Sequence, residues 1–164
     1  MRKIEKKYYI AYGSNTYTKQ MKRRCPDSRL IGTAMLEGFE LEFTGAATVV
    51  PKHGAQTPVL LWEISELDEI RLDVCEGVHN RVYHKETQEI KIDGKKVFGM
   101  MYVKNDGQIS PPKDDYAKRM FQGYEQNGMD VQYIHNAILK SFHVQMDSEK
   151  EEQEESESMN FSQN

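Results

Sequence analysis

The sequence predicts an α+β domain: a mixed, curved sheet that closes into a small β-barrel, with flanking helices. Three observations carry that expectation. Strand-like segments dominate the first two-thirds of the 164 residues, short helical segments interrupt them, and the last third is helical. The length suits one domain with its own core. The domain is expected to span residues 1–146, followed by an acidic, disordered tail over 147–164.

The elements follow in order. Tyr8–Tyr12, "YYIAY", is rich in β-formers and stops at Gly13, so it reads as a first strand. "TYTKQMKRRC" has helical composition, with Thr16 as N-cap, and must end before Pro26. In "RLIGTAMLEGFELEFTG" Phe39, Leu41 and Phe43 alternate onto one strand face. "ATVVP" and "TPVLLWEI" are apolar and β-branched and read as two strands, leaving "PKHGAQTP", Pro51 to Pro58, as a loop. "SELDEIRLDVCEG" is a helix: Ser65 and Asp68 resemble a capping box, Leu67, Ile70 and Val74 form an apolar stripe, and Gly77 suits the left-handed C′ position. Asp93-Gly94 between "RVYHKETQEIKI" and "KKVFGMMYV" signals a hairpin. "PPKDDYAKRMFQGYEQNG" reads as a helix entered through prolines and left at Gly128. "VQYIHNAILKSF" is a final helix with an Ile/Leu face, and the segment after it lacks the apolar surface to fold.

Charge is unevenly placed. From Asp147 on the chain carries seven acids and one lysine, leaving 19 acids and 21 bases before it. The body is near neutral, without the basic stripe of a nucleic-acid binder. Cys25 and Cys75 are the only cysteines. With no apolar leader after the basic "MRKIEKK" they read as free thiols of a reducing compartment. No stretch approaches the ~20 apolar residues of a membrane helix. A soluble cytoplasmic protein is expected.

Two segments carry chemistry. "YGSN" ends a strand in small polar residues, which leaves several backbone N–H groups unpaired, and Gly13 lets a ligand come close. Such amides bind carboxylates, phosphates or a developing oxyanion, although the same residues also make an ordinary turn. The loop is not a P-loop, since it lacks the Gly-Lys-Ser/Thr ending. Glu76 in "LDVCEGVHNRVY" falls at a helix C-terminus, where the dipole disfavours a carboxylate. A carboxylate raised toward neutrality is a better general base.

"YIAYGSN", "LDVCEGV…Y" and "SPPKDDYAKRM…G" occur in this order over roughly residues 8–140, and the chain thereby resembles the γ-glutamylcyclotransferase family, the AIG2-like group. It is less similar to the ChaC branch, whose loop reads Tyr-Gly-Ser-Leu. The resemblance implies an α+β fold around a small barrel and conversion of a γ-glutamyl amide to 5-oxoproline and a free amine, with no metal and no organic cofactor. It implies Glu76 as the catalytic residue, Ala11, Tyr12, Gly13, Ser14 and Asn15 as the substrate-binding loop, and Tyr116 as a further contact. The expected partner is a small γ-glutamyl molecule, with neither nucleic acid nor membrane, on a monomer or homodimer.

Other residues weigh less. Tyr83 and Tyr102 are candidates for a polar pocket wall, and core tyrosines are the commoner case. Arg81 lies between Glu76 and Tyr83, where it could meet a carboxylate on the leaving group. Trp62 and the Pro51–Pro58 loop could form another wall. Cys75 adjoins Glu76 without a histidine partner and reads as a buried structural thiol. Lys22, Arg23 and Arg24 could bind an anion, but a solvated helix face is the expectation, and the five histidines lack metal-ligand spacing. Thr16 departs from relatives that have Leu or Met after "YGSN". The rival readings are a non-catalytic small-acid binder on the same fold, a cyclotransferase acting on a larger biosynthetic intermediate, and a helical DNA-binding module built on "TYTKQMKRRC".

Overall fold

A computed structural model describes residues 6–162. Most of the basic N-terminal stretch, residues 1–5, and the last two residues of the acidic segment lie outside them. The elements are β1 (Lys7–Ala11), α1 (Thr18–Arg24), β2 (Arg29–Thr44), β3 (Ala46–Ile64), α2 (Glu66–Cys75), β4 (Tyr83–Ile92), β5 (Lys95–Lys104), α3 (Asp114–Gln126) and α4 (Gln132–Ser162). A single 3₁₀ turn, Ser14–Thr16, joins β1 to α1.

The five strands form one sheet in the order β2-β3-β1-β5-β4. β1 runs parallel to β5, with Tyr9 opposite Met100, and the other pairs are antiparallel. The sheet is therefore mixed, as the sequence predicts, but it is not closed into a barrel: β2 and β4 remain its two edges. They do approach each other, since a Cβ on Gly32 of β2 would stand 3.1 Å from Ile92 Cδ1 of β4. Side chains, not ladder hydrogen bonds, fill that seam. Ile10, Phe43, Leu60, Leu61, Ile64 and Met101 pack the interior with no exposed surface.

The Pro51–Pro58 segment is not a loop. β3 runs unbroken through it and pairs with β2 along one long hairpin that turns at Gly45. The register jumps there: Glu37 faces Gln56 and Phe39 faces Pro51. The extra residues, 52–55, form a bulge opposite Gly38 without ending the strand. Neither this segment nor Trp62 lines the cavity described below, so neither supplies the expected wall.

The α2 helix begins with the full capping box. Ser65 Oγ accepts from Asp68 N at 3.1 Å, and Asp68 Oδ2 accepts from Ser65 N at 3.2 Å. It ends in a Schellman motif. Val78 N–H donates to Asp73 O and Gly77 N–H to Val74 O, with Gly77 at φ 62°. The inward face differs from the sequence expectation. Asp68 and Leu72 are buried, whereas Leu67, Ile70 and Val74 are 51%, 55% and 77% exposed. Asp68 turns inward because its carboxylate is used twice, by the cap and by Asp27 N–H at 3.4 Å. The rest of that face follows.

Asp93 (φ 50°) and Gly94 (φ 76°) make the tight turn between β4 and β5, in agreement with the sequence. α1 starts at Thr18 with Tyr17 as N-cap, one residue later than the sequence suggests, because Thr16 is taken up in the 3₁₀ turn. α3 closes at Gly128, also as read, with Met129 N–H returning to Tyr124 O. α4 seats Ile134, Ala137 and Ser141 inward. It is tied to β2 through Lys140 Nζ, which is 2.7 Å from Glu42 Oε1. From residue 147, where the sequence predicts an unfolded tail, the structure continues α4 to Ser162 as an exposed helix. Backbone hydrogen bonds within one long helix need no core, and the preceding turns supply the nucleus.

Candidate active site

The end of β1 answers why a core strand runs into Gly-Ser-Asn. After Ala11 the chain leaves the sheet and tightens into the 3₁₀ turn. Thr16 N and Thr16 Oγ1 both donate to Gly13 O, at 3.1 and 2.7 Å. As the leading residues of a helical turn, Gly13, Ser14 and Asn15 have N–H groups with no main-chain acceptor among the described residues. They border a cavity of about 190 Å³.

Four elements hold that loop. α3 lies against it along the stripe Tyr116, Met120, Gly123, Tyr124 and Asn127. Tyr124 Oη donates to Tyr12 O at 3.1 Å, and Asn127 Nδ2 to Thr16 O at 3.1 Å. α1 contributes Gln20, whose Nε2 donates to Ser14 Oγ at 2.9 Å and Asn15 Oδ1 at 3.0 Å. Arg24 Nη1 donates to the same Asn15 oxygen at 3.0 Å, and Asn15 Nδ2 donates to Tyr9 Oη on β1 at 2.9 Å. Ala47 of β3 presents both main-chain groups: its N–H donates to Tyr116 Oη at 3.1 Å, and its carbonyl accepts from Tyr83 Oη at 3.0 Å.

Glu76 enters the cavity from the C-cap of α2. It is half-buried, and burial pushes its carboxyl above the ordinary carboxylate value, with the Arg24 guanidinium offsetting part of the rise. Burial is thus the cause of the rise. The tyrosines around it shift the other way from reactivity. Tyr9, Tyr12, Tyr83 and Tyr116 all have hydroxyls pushed up by burial, so each stays a neutral hydrogen-bonding group at physiological pH. For Tyr116, hydrogen bonds from Ala47 and Ser14 offset part of that burial.

Of the residues named from the sequence, the structure brings Glu76, Tyr12, Gly13, Ser14, Asn15, Tyr83, Tyr102 and Tyr116 to one cavity. Two are elsewhere. Ala11 is buried in the sheet opposite Leu60 and does not line the cavity. Arg81 is exposed at φ 59° in the turn after α2, outside the lining, with its carbonyl accepting from Asn105 Nδ2. Cys75 is exposed at the cavity, whereas Cys25 is the buried thiol, its pKa pushed up to about 12.

Tyr9, Ala46 and Ala47 also line the cavity without being singled out by sequence, and so does Arg24, which the sequence reading left on a solvated helix face. Arg24 had a signal: it lies four residues after Gln20, so both share one face of α1. Only Lys22 and Arg23 form the solvated face. The two alanines had none, because their role is to be small and to offer main-chain groups. Among the described residues, no cluster of three or more His, Cys, Asp or Glu side chains is disposed to hold a metal, and no helix is long and apolar enough to cross a membrane.

The chain is similar to known proteins in both sequence and fold. The AIG2-like family model matches residues 58–136, which include Glu76, Tyr83 and Tyr116. A human γ-glutamylcyclotransferase is 27% identical over 140 residues, covering 76% of this chain and 73% of the relative; its mouse counterpart is 29% identical over the same span. A solved γ-glutamyl cyclotransferase superposes with a TM-score of 0.75 at 25% identity, covering 81% of this chain and 86% of its own. The loop at residues 12–15 and Glu76 thus meet in one cavity of a chain that is similar to γ-glutamylcyclotransferases in sequence and fold and carries an AIG2-like segment over residues 58–136.

Proposed function

We propose that the protein is a γ-glutamyl cyclotransferase that converts a γ-glutamyl amide to 5-oxoproline and a free amine, with Glu76 as general base and then general acid. The observation that carries this reading is the pairing of one half-buried, raised carboxyl with a loop whose Gly13, Ser14 and Asn15 N–H groups have no main-chain acceptor among the described residues, around one cavity.

The chemistry needs little more. The substrate's α-amine attacks its own γ-carbonyl carbon. The new N–C bond closes a five-membered ring, and the C–N bond to the leaving amine breaks. The nucleophile is tethered, so holding the arm in an attack conformer supplies much of the acceleration. Protons balance without water: the α-ammonium gives up two, and the leaving nitrogen gains two. A carboxylate beside both nitrogens can carry them, which is why its pKa has to lie nearer neutrality than an ordinary glutamate's. The tyrosine hydroxyls, held neutral, serve as hydrogen-bonding groups rather than bases. Main-chain N–H groups of Gly13 and Ser14 are suited to the charge that develops on the γ-carbonyl oxygen.

Incubation of the purified chain with γ-glutamyl-alanine, followed by chromatography, should yield 5-oxoproline and alanine in equal amounts. Glu76→Gln should lower kcat by ~10²–10⁴-fold with KM nearly unchanged. Release of 5-oxoproline by that variant at the wild-type rate would refute the role of Glu76. No release by the wild type from a panel of γ-glutamyl amides with different leaving amines would leave a small-acid binder on this fold.

A further inference from the structure

We propose that Arg24 seats the α-carboxylate of the γ-glutamyl arm and thereby decides which end of the substrate meets Glu76. This rests on the cyclotransferase reading. Arg24 is the one cation among the described residues that line the cavity, at the C-terminal end of α1. One edge of its guanidinium is pinned: Nη1 donates to Asn15 Oδ1 at 3.0 Å. Asn15 is 3% exposed, and both its ends are occupied, the oxygen also by Gln20 and the nitrogen by Tyr9. Its carbonyl oxygen has no lone pair left for a ligand. The buried asparagine is therefore a positioning residue for the arginine fork.

The remaining edge of that fork has no partner. Among the described residues no carboxylate lies within ion-pair distance of Arg24, although every other arginine or lysine that makes an ion pair does so with a named acid. Glu76 feels its charge without pairing with it. The cavity thus holds one separated cation and one separated anion. The α-carbon of a γ-glutamyl group carries the complement, a carboxylate and an ammonium. Placing the carboxylate on Arg24 brings the ammonium to Glu76. The Gly13 and Ser14 N–H groups are then left for the γ-carbonyl oxygen, further along the arm. An arginine fork matches a carboxylate in geometry as well as charge.

The test compares two substrates whose leaving amine has no carboxylate: γ-glutamyl ethylamide, which yields 5-oxoproline, and 4-aminobutanoyl ethylamide, which lacks only the α-carboxylate and yields 2-pyrrolidinone. In the wild type, kcat/KM for the first should exceed the second by ~10–100-fold. In Arg24→Met that ratio should collapse toward unity, mainly through KM, and Arg24→Lys should keep part of it. A ratio retained by Arg24→Met, or by the uncharged Arg24→Gln should the first variant not fold, overturns the proposal. So does an equal loss on both substrates, which would mean that Arg24 only braces Asn15. If the wild type turns over neither substrate, the activity reading falls. Calorimetric titration then still decides the seat: 5-oxoproline should bind the wild type ~10–100-fold more tightly than 2-pyrrolidinone does, and Arg24→Met should remove the difference. Equal binding of the two overturns it.

Discussion

A methyl group on Gly13 would stand 3.1 Å from the hydroxyl oxygen of Tyr116. Gly13 has φ −109° and ψ −134°, so it is not there for a left-handed backbone. It is there because loop and tyrosine touch. Ala47 Cβ, at 3.3 Å from the same position, closes the other side. Gly13→Ala should fold, with Tyr116 displaced by a few tenths of an ångström, and lose ~3–10-fold in kcat/KM. The oxygen causes the conflict, so the same substitution in a Tyr116→Phe background should cost less than it does alone. Steady-state kinetics on the four proteins checks this. Equal costs in both backgrounds would remove Tyr116 from the explanation.

Gly123 presents a harder contact. A Cβ there would lie 2.4 Å from Thr16 Oγ1, 2.5 Å from the Thr16 carbonyl carbon and 2.6 Å from Tyr17 N. Two of these atoms are backbone and cannot rotate away, so α3 must back off from the loop or the loop must shift. Gly123→Ala should destabilise the protein by about 1–3 kcal/mol. It should also raise KM, because the Tyr124 and Asn127 hydrogen bonds to the loop come from the same helix face. Thermal unfolding and KM measured together test the coupling. Lost stability with an unchanged KM would mean that α3 supports the fold without setting the loop.

These two glycines show what the sequence could and could not reveal. Gly13 was readable because it ends an apolar strand in a run of small polar residues, a local signal. Gly123 was not, since a mid-helix glycine declares nothing about a backbone packed against it from more than a hundred residues away. Glu76 was readable from the helix that Ser65 starts and Gly77 stops, although the burial that raises its carboxyl is set by the tertiary fold. Arg24 was misread with its neighbours Lys22 and Arg23, because composition does not say which residues of a short helix turn back toward a loop. Arg81 was misplaced for the opposite reason. Its closeness in sequence to Glu76 is undone by the left-handed turn that points the chain away. The open sheet follows from a seam that no local pattern encodes, where β2 and β4 meet through side chains at Gly32 and Ile92 and not through a hydrogen-bonded ladder.

The raised carboxyl of Glu76 also makes a statement about stability. Its ordinary value is 4.5, and burial lifts it in the folded chain. Between 4.5 and the higher folded value, the folded state holds a proton that the unfolded state has released. Stability from this group is therefore intact at low pH and falls as pH rises through that window. Above the window the folded protein carries a desolvated charge that the unfolded chain carries in water. Glu76→Gln removes that charge while keeping the shape, so the inactive variant should melt at a higher temperature than the wild type at pH 7–8. The advantage should shrink as pH falls toward 4.5 and the native glutamate takes up its proton. Calorimetric melting of both proteins across this range checks the sign. A variant that melts below the wild type at neutral pH would show that the carboxylate is stabilised where it stands, most directly by a firm pair with Arg24, and would contradict its role as a base moved toward neutrality.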